Sequence, residues 1–230
     1  MVSLKAISLS CGALTTREIN ARLAQLPDGS HVTITAPKGR HSLAVGLQNR
    51  IQITVAGNAG YFLGGLCGGP DITVEGHVGW SVAENLMSGT VRIVGNASEC
   101  AGASSHGGTL IIEGDSSSRA GISLKGGTIA VGGDVGHMSA FMAQAGVLLI
   151  GGDAGEALGD SLYEAVIYVG GKIRSLGADA RVEALTDDDV RRVRAIVELA
   201  GFDHIDPENV TRIATARDLY NFDSLKNQKY

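Results

Sequence analysis

Cysteine is rare in this chain: three occur in 230 residues, Cys11, Cys67 and Cys100, an odd number at wide spacing. That spacing suits neither a disulfide framework nor a zinc or iron–sulfur site, so ordinary reduced thiols are expected. Basic runs are missing too, and the formal net charge is −5, which argues against nucleic acid or an anionic membrane as partner. No apolar stretch approaches the roughly 18 to 20 residues of a membrane span, and Met1 to Cys11 lacks the pattern of a secretory leader. A cytoplasmic location is the expectation. Aromatic residues make up only 4% of the chain, and four of them, Phe202, Tyr220, Phe222 and Tyr230, lie near its C-terminal end. That cluster is expected either to pin the tail to its own chain or to dock it on another subunit.

Glycine, by contrast, is abundant and ordered. Gly57, Gly76, Gly95, Gly114, Gly133, Gly152 and Gly171 recur every 19 residues with no insertion or deletion. A fixed period of this kind is the signature of stacked repeats. Four positions before each marker glycine stand Ile53, Ile72, Val91, Leu110, Ile129, Leu148 and Ile167; two before it stand Val55, Val74, Ile93, Ile112, Val131, Ile150 and Val169. Apolar residues two apart predict a short strand with one face turned inward. A 19-residue unit is too short for a strand plus a crossover helix, so the repeats are expected to wind as a parallel β-helix, right-handed as parallel crossovers generally are. Seven clear coils are expected, with a degenerate eighth upstream in which Val32, Ile34 and Ala36 continue the strand columns and Lys38 takes the glycine position. At the ladder spacing the rod would be roughly 35 to 40 Å long.

Two further columns carry small residues. Gly89, Gly108, Gly127 and Gly146 open successive strands, with Pro70 and Ala165 at the ends of the column. Like the marker glycines, they are expected at corners that need positive φ. Gly64, Ala83, Gly102, Gly121, Ala140, Gly159 and Ala178 form a column that suits a wall too close to the interior for a larger side chain. The flanks differ from the stack. Thr15 with Glu18 forms a capping box before a helix bearing Ile19, Leu23 and Leu26 on one face, ended by Pro27, Asp28 and Gly29. Thr186 with Asp187, Asp188 and Asp189 starts a second helix, with Val190, Val193, Val197 and Ala200 on one face and Gly201 at its end. The expected organisation is an N-terminal cap over residues 1–30, the β-helix over 31–180, and a C-terminal helix with a partner-docking tail over 181–230.

Candidate chemistry is sparse. Gly170-Gly171-Lys172 lacks the Ser or Thr of a phosphate-binding loop and no helix pattern follows it. His31, His41, His77, His106 and His137 fall in five different columns, unsuited to a metal site shared between neighbouring coils. One column stands out: after each marker glycine come Asn58, His77, Asn96, Asp115, Asp134, Asp153 and Lys172. Asp115, Asp134 and Asp153 should stack about 4.8 Å apart. Asn and Asp are favoured turn residues, so a turn role is the main expectation and a cation-binding or functional carboxylate row the alternative.

Segments such as Gly132-Gly133-Asp134-Val135-Gly136 and Gly151-Gly152-Asp153-Ala154-Gly155, each after a short β-branched strand, resemble the GXGXG repeat family over about residues 30 to 180. That family includes the C-terminal domain of the glutamate synthase large subunit and the β-helical subunit of formylmethanofuran dehydrogenase with its formyltransferase/hydrolase relatives. The resemblance implies a right-handed β-helix that does no chemistry itself and packs between catalytic domains. With its C-terminal helix and closing Ala216-Arg217-Asp218-Leu219-Tyr220-Asn221-Phe222 segment, the chain is most similar to the small β-helix subunit of N-methylglutamate synthase. This implies a scaffold beside two partners, a glutaminase-type (class II amidotransferase-like) subunit and an FMN and iron–sulfur synthase subunit. The resemblance implies no cofactor on this chain and the enclosure of ammonia or amine transfer by the assembly. A scaffold in a formylmethanofuran dehydrogenase or formyltransferase/hydrolase complex is the alternative that the same family implies. The sequence agrees with a scaffold: no cysteine follows Met1 to act as glutaminase nucleophile, no cysteine cluster would hold iron–sulfur, and no (β/α)₈ pattern would carry FMN.

Overall fold

The structure, a computed structural model, describes residues 7–216. It is a parallel β-solenoid. Nine strands, β1 (Ile7–Ser10), β2 (His31–Thr35), β3 (Gln52–Val55), β4 (Gly68–Val74), β5 (Ser88–Ile93), β6 (Thr109–Ile112), β7 (Lys125–Val131), β8 (Ala145–Ile150) and β9 (Val166–Val169), pair in parallel and in chain order. From β3 to β9 the inward-facing partners are 19 residues apart, as in Ile53–Ile72, Val91–Leu110 and Leu148–Ile167, and only Gly68–Ser88 and Lys125–Ala145, ahead of a register shift, depart from that spacing. Opposite the strands a second ladder runs through single bridges at Val78, Ala97, Ser116, Val135, Ala154 and Ile173.

The upstream coil departs from the expected register. Spacing alone puts Ile34 beneath Ile53, yet Val32 pairs with Ile53 and Ile34 with Val55. This coil is two residues longer, and Lys38 is therefore not in the glycine position. The physical reason is that both inward columns remain filled, because Val32 and Ile34 are each buried.

Side chains from the strands, from the bridge column and from a third wall fill the interior. In one coil these are Ile72, Val74, Val78, Val82 and Leu86, all buried. Full burial of such a side chain is worth about 1.5–3 kcal/mol, so identical layers in series make a continuous apolar core. The third wall is built from left-handed residues at every second position. Phe62, Ser81, Cys100, Arg119, Met138 and Ala157 have positive φ, as do Gly64, Ala83, Gly102, Gly121, Ala140 and Gly159, and Leu66, Asn85, Ser104, Ser123, Met142 and Ser161. The middle set is the Gly/Ala column as far as Gly159: it combines positive φ with contact to the interior, as where a Cβ on Gly102 would lie 2.5 Å from Ile129 Cδ1. Ala178, expected in the same column, is instead exposed and outside the left-handed region.

Both flanks join the rod. The helix α1 (Thr16–Ala24) begins with the capping box of Thr15 and Glu18, and Ile19 and Leu23 enter the main core. Its Asn20 is fixed between Ser42 O and Ala44 N (both 2.8 Å), which seats the helix on the first coil. The C-terminal region behaves differently from the expected cap. The far end of the ladder is closed by an antiparallel strand, β11 (Thr211–Thr215), lying against β9, and then by β10 (Ala180–Glu183). The second helix, α2 (Asp187–Ala200), lies instead along the outer face of the sheet. Its buried Val193, Ile196, Val197 and Ala200 pack with Phe202 and Ile205 on the outward column Ile111, Ala130, Leu149 and Tyr168. Ile196 is buried whereas Val190, expected in the interface, is half-buried. Fourteen residues of helix span about 21 Å, close to four coils at about 4.8 Å, so α2 reaches from β9 back to β5.

Candidate functional site

The column after the marker glycines is one continuous hydrogen-bond chain. Asn58 Oδ1 accepts from His77 N (2.9 Å), His77 Nδ1 from Asn96 N (2.9 Å), and Asn96 Oδ1 from Asp115 N (3.1 Å). Asp115 Oδ1 then accepts from Asp134 N (2.8 Å), Asp134 Oδ1 from Asp153 N (2.7 Å), and Asp153 Oδ1 from Lys172 N (2.7 Å). Asn, Asp and His share one property here: an acceptor at the δ1 position that reaches the amide of the next coil. Because a backbone amide only donates, His77 must carry its proton on Nε2. One oxygen of each of Asp115, Asp134 and Asp153 is thus committed to holding a turn.

This ladder explains the marker glycines better than φ does. Only Gly57 has positive φ among them. At the others a Cβ would strike the side-chain acceptor of the coil before: 2.4 Å from Asn58 Oδ1 at Gly76, 2.7 Å from His77 Nδ1 at Gly95, 2.0 Å from Asn96 Oδ1 at Gly114, 2.1 Å from Asp115 Oδ1 at Gly133, 2.1 Å from Asp134 Oδ1 at Gly152, and 2.4 Å from Asp153 Oδ1 at Gly171. Glycine is required there because the coils approach so closely. The corner that needs positive φ is the other glycine column, Gly89, Gly108, Gly127 and Gly146.

The remaining reactive residues do not converge. Among the described residues no group of three or more His, Cys, Asp or Glu is placed to hold a metal ion. Cys11 and Cys67 are buried, and burial pushes the Cys67 thiol up to about 11, opposite to what a nucleophile needs. Burial also raises Cys100. His41 stacks on Tyr61, and His137 Nδ1 lies 3.0 Å from Ser118 Oγ on the neighbouring coil. No described helix is long and apolar enough to cross a membrane.

What the structure does gather is exposed apolar surface on the left-handed wall. Trp80 is 63% exposed and Tyr61, one coil away, 48% exposed; the His41 ring lies 4.0 Å from that of Tyr61 at 18°. The backbone bond from Phe62 N to Trp80 O (2.7 Å) sets these residues side by side. Leu66, Met87, Met142 and Tyr163 are exposed on the same wall. The sequence gives no simple signal for this surface because its residues are scattered over several columns. Phe202 belongs to the other side: it is buried under α2, so it pins its own chain. Tyr220, Phe222 and Tyr230 lie outside the described residues.

A second cluster anchors α2. Asp189 accepts from Tyr168 Oη (2.5 Å), Thr186 Oγ1 (2.6 Å) and Arg212 Nε (3.2 Å), and Arg212 also pairs with Glu183. Burial works against the Asp189 charge, but the bonds from Thr186 and Tyr168 together with Arg212 hold its carboxyl down to about 2. Burial and the same Asp189 bond push Tyr168 up to about 12. At the other end of α2, Arg92 donates to Ala200 O (3.0 Å) and to Glu113 Oε1 (2.8 Å). Comparison with protein-family models and with curated proteins finds no match to this chain.

Proposed function

We propose that this chain is a non-catalytic scaffold subunit of a glutamate synthase-like complex of the N-methylglutamate synthase type. The observation that carries the reading is a contrast. The interior is filled with apolar side chains and one oxygen of each of Asp115, Asp134 and Asp153 is committed to a backbone amide, while the left-handed wall leaves Trp80, Tyr61 and Met142 exposed. Exposed aromatic and methionine side chains on a rigid frame are what protein interfaces enrich. The repeat resemblance supplies the class of partner: a glutaminase-type subunit and an FMN and iron–sulfur synthase subunit.

In this reading the rod fixes the separation of two active sites that lie on other chains. With Ile, Val and Leu filling its interior, any path for ammonia or a small amine runs alongside the rod and is walled by it. Co-expression with a glutaminase-type and a flavin-containing synthase subunit tests the proposal. A stoichiometric complex that transfers amide nitrogen only with all three chains, and that Trp80→Ala together with Tyr61→Ala weakens, is the expected result. Turnover by the isolated chain would overturn it, and assembly with a formyltransferase instead would replace it with the formyl-transferring reading.

A further inference from the structure

Among the described residues the ladder ends on an edge strand, and the chemistry of that edge matches itself. Among the described residues β10 has one ladder partner, β11. Ala216 N donates to Asp179 O (2.7 Å), which marks Asp179–Ala216 as a hydrogen-bonded pair of the antiparallel ladder. Such pairs alternate, so Arg181 and Glu183 direct their backbone groups at β11 while Val182 directs its N–H and C=O away from the sheet. Val182 continues the inward row of Ile167 and Ile213, yet it is 58% exposed where those two are buried. Backbone groups without a partner among the described residues and an exposed apolar residue at the end of a core are what edge strands normally avoid.

The sequence around Val182 is Ala180-Arg181-Val182-Glu183-Ala184, which reads as its own complement when reversed. We propose that two copies of this chain join edge to edge through β10 about a two-fold axis at Val182, extending the sheet from one rod into the next. In that register Val182 faces Val182 of the second copy and the two exchange N–H···O=C bonds. Arg181 faces Glu183 of the second copy, and vice versa, and small Ala180 meets Ala184. Charge complementarity across the seam selects a second copy of this chain over an unrelated strand. The helix α2 runs from β9 back toward β5, away from this edge. The inference does not depend on the scaffold reading.

The test uses the full purified chain in sedimentation and light-scattering measurements over micromolar concentrations. Twice the chain mass is expected for the natural sequence. Val182→Pro removes an N–H that points away from β11, so it should spare the fold and weaken the dimer about tenfold or more. Arg181→Glu, at an exposed side chain bonded only to Glu183 in its own copy, should weaken the dimer similarly by setting like charges across the seam. Melting curves of both variants check that the fold is kept. A monomeric natural chain, or a dimer that persists in either folded variant, would overturn the proposal. So would a chain that dimerises only once residues 217–230 are removed, since those residues would then be the occupant of the edge.

Discussion

Single residues in this molecule are chosen by their neighbours one coil away. Gly133 illustrates the rule: a side chain there meets Asp115 Oδ1 before anything else. Gly133→Val should therefore break the Asp115–Asp134 link and lower stability by about 2–4 kcal/mol in chemical denaturation, as other overpacking changes with loss of a hydrogen bond do. Asp134→Asn keeps the acceptor for Asp153 N and should change stability by less than about 0.5 kcal/mol, whereas Asp134→Ala should cost about 1 kcal/mol. An equal effect of the two substitutions would contradict the acceptor role. Ser116 tests the interior. Its hydroxyl is buried and without a hydrogen-bond partner among the described residues, in a column otherwise held by Ala, Val and Ile. Ser116→Ala should raise stability by about 1 kcal/mol. The period and the inward columns were legible in the sequence because burial demands one residue type at each place. The ladder was not, because Asn, Asp and His look chemically different while supplying the same acceptor.

Among the elements, the helices show how far local signals reach. Both N-termini were legible: Thr15 with Glu18, and Thr186 with the acidic residues after it, build the caps seen in the structure. The position of α2 was not, although a signal existed: the outward column turns from Thr54 and Thr73 to Ile111, Ala130, Leu149 and Tyr168 under α2, with Arg92 between them meeting the helix end at Ala200 O. The docking of α2 should depend on pH at both extremes. The Asp189 carboxyl is held down to about 2 from its ordinary 3.8, so its contribution is present above the ordinary value and fades as pH falls toward 2. Tyr168 is pushed up to about 12 from 10, so its contribution is present below pH 10 and fades as pH rises through 12. Hydrogen exchange at the β6–β9 amides should stay slow between about pH 4 and 10 relative to intrinsic rates and lose protection outside that window. Tyr168→Phe should remove the alkaline limb and, because the Tyr168 bond helps hold the Asp189 carboxyl down, move the acid limb to higher pH.

At the scale of the whole molecule, one side of the rod is covered by its own helix and another is left apolar and bare. The fold class was legible because a repeat shorter than a strand–helix unit has few ways to stack. The bare wall was not, since exposure depends on which positions are left-handed, and ordinary side chains such as Arg119 and Met138 occupy that conformation beside glycine. If the wall serves a partner, substitutions there should weaken assembly without affecting the melting of the isolated chain. The most direct measurement is native mass spectrometry of the chain co-expressed with a glutaminase-type and a flavin-containing synthase subunit. A three-component assembly that loses its partners in the Tyr61→Ala/Trp80→Ala variant, while that variant remains folded, is the predicted result. A chain that stays apart from both subunits and turns over a substrate by itself would contradict the scaffold role.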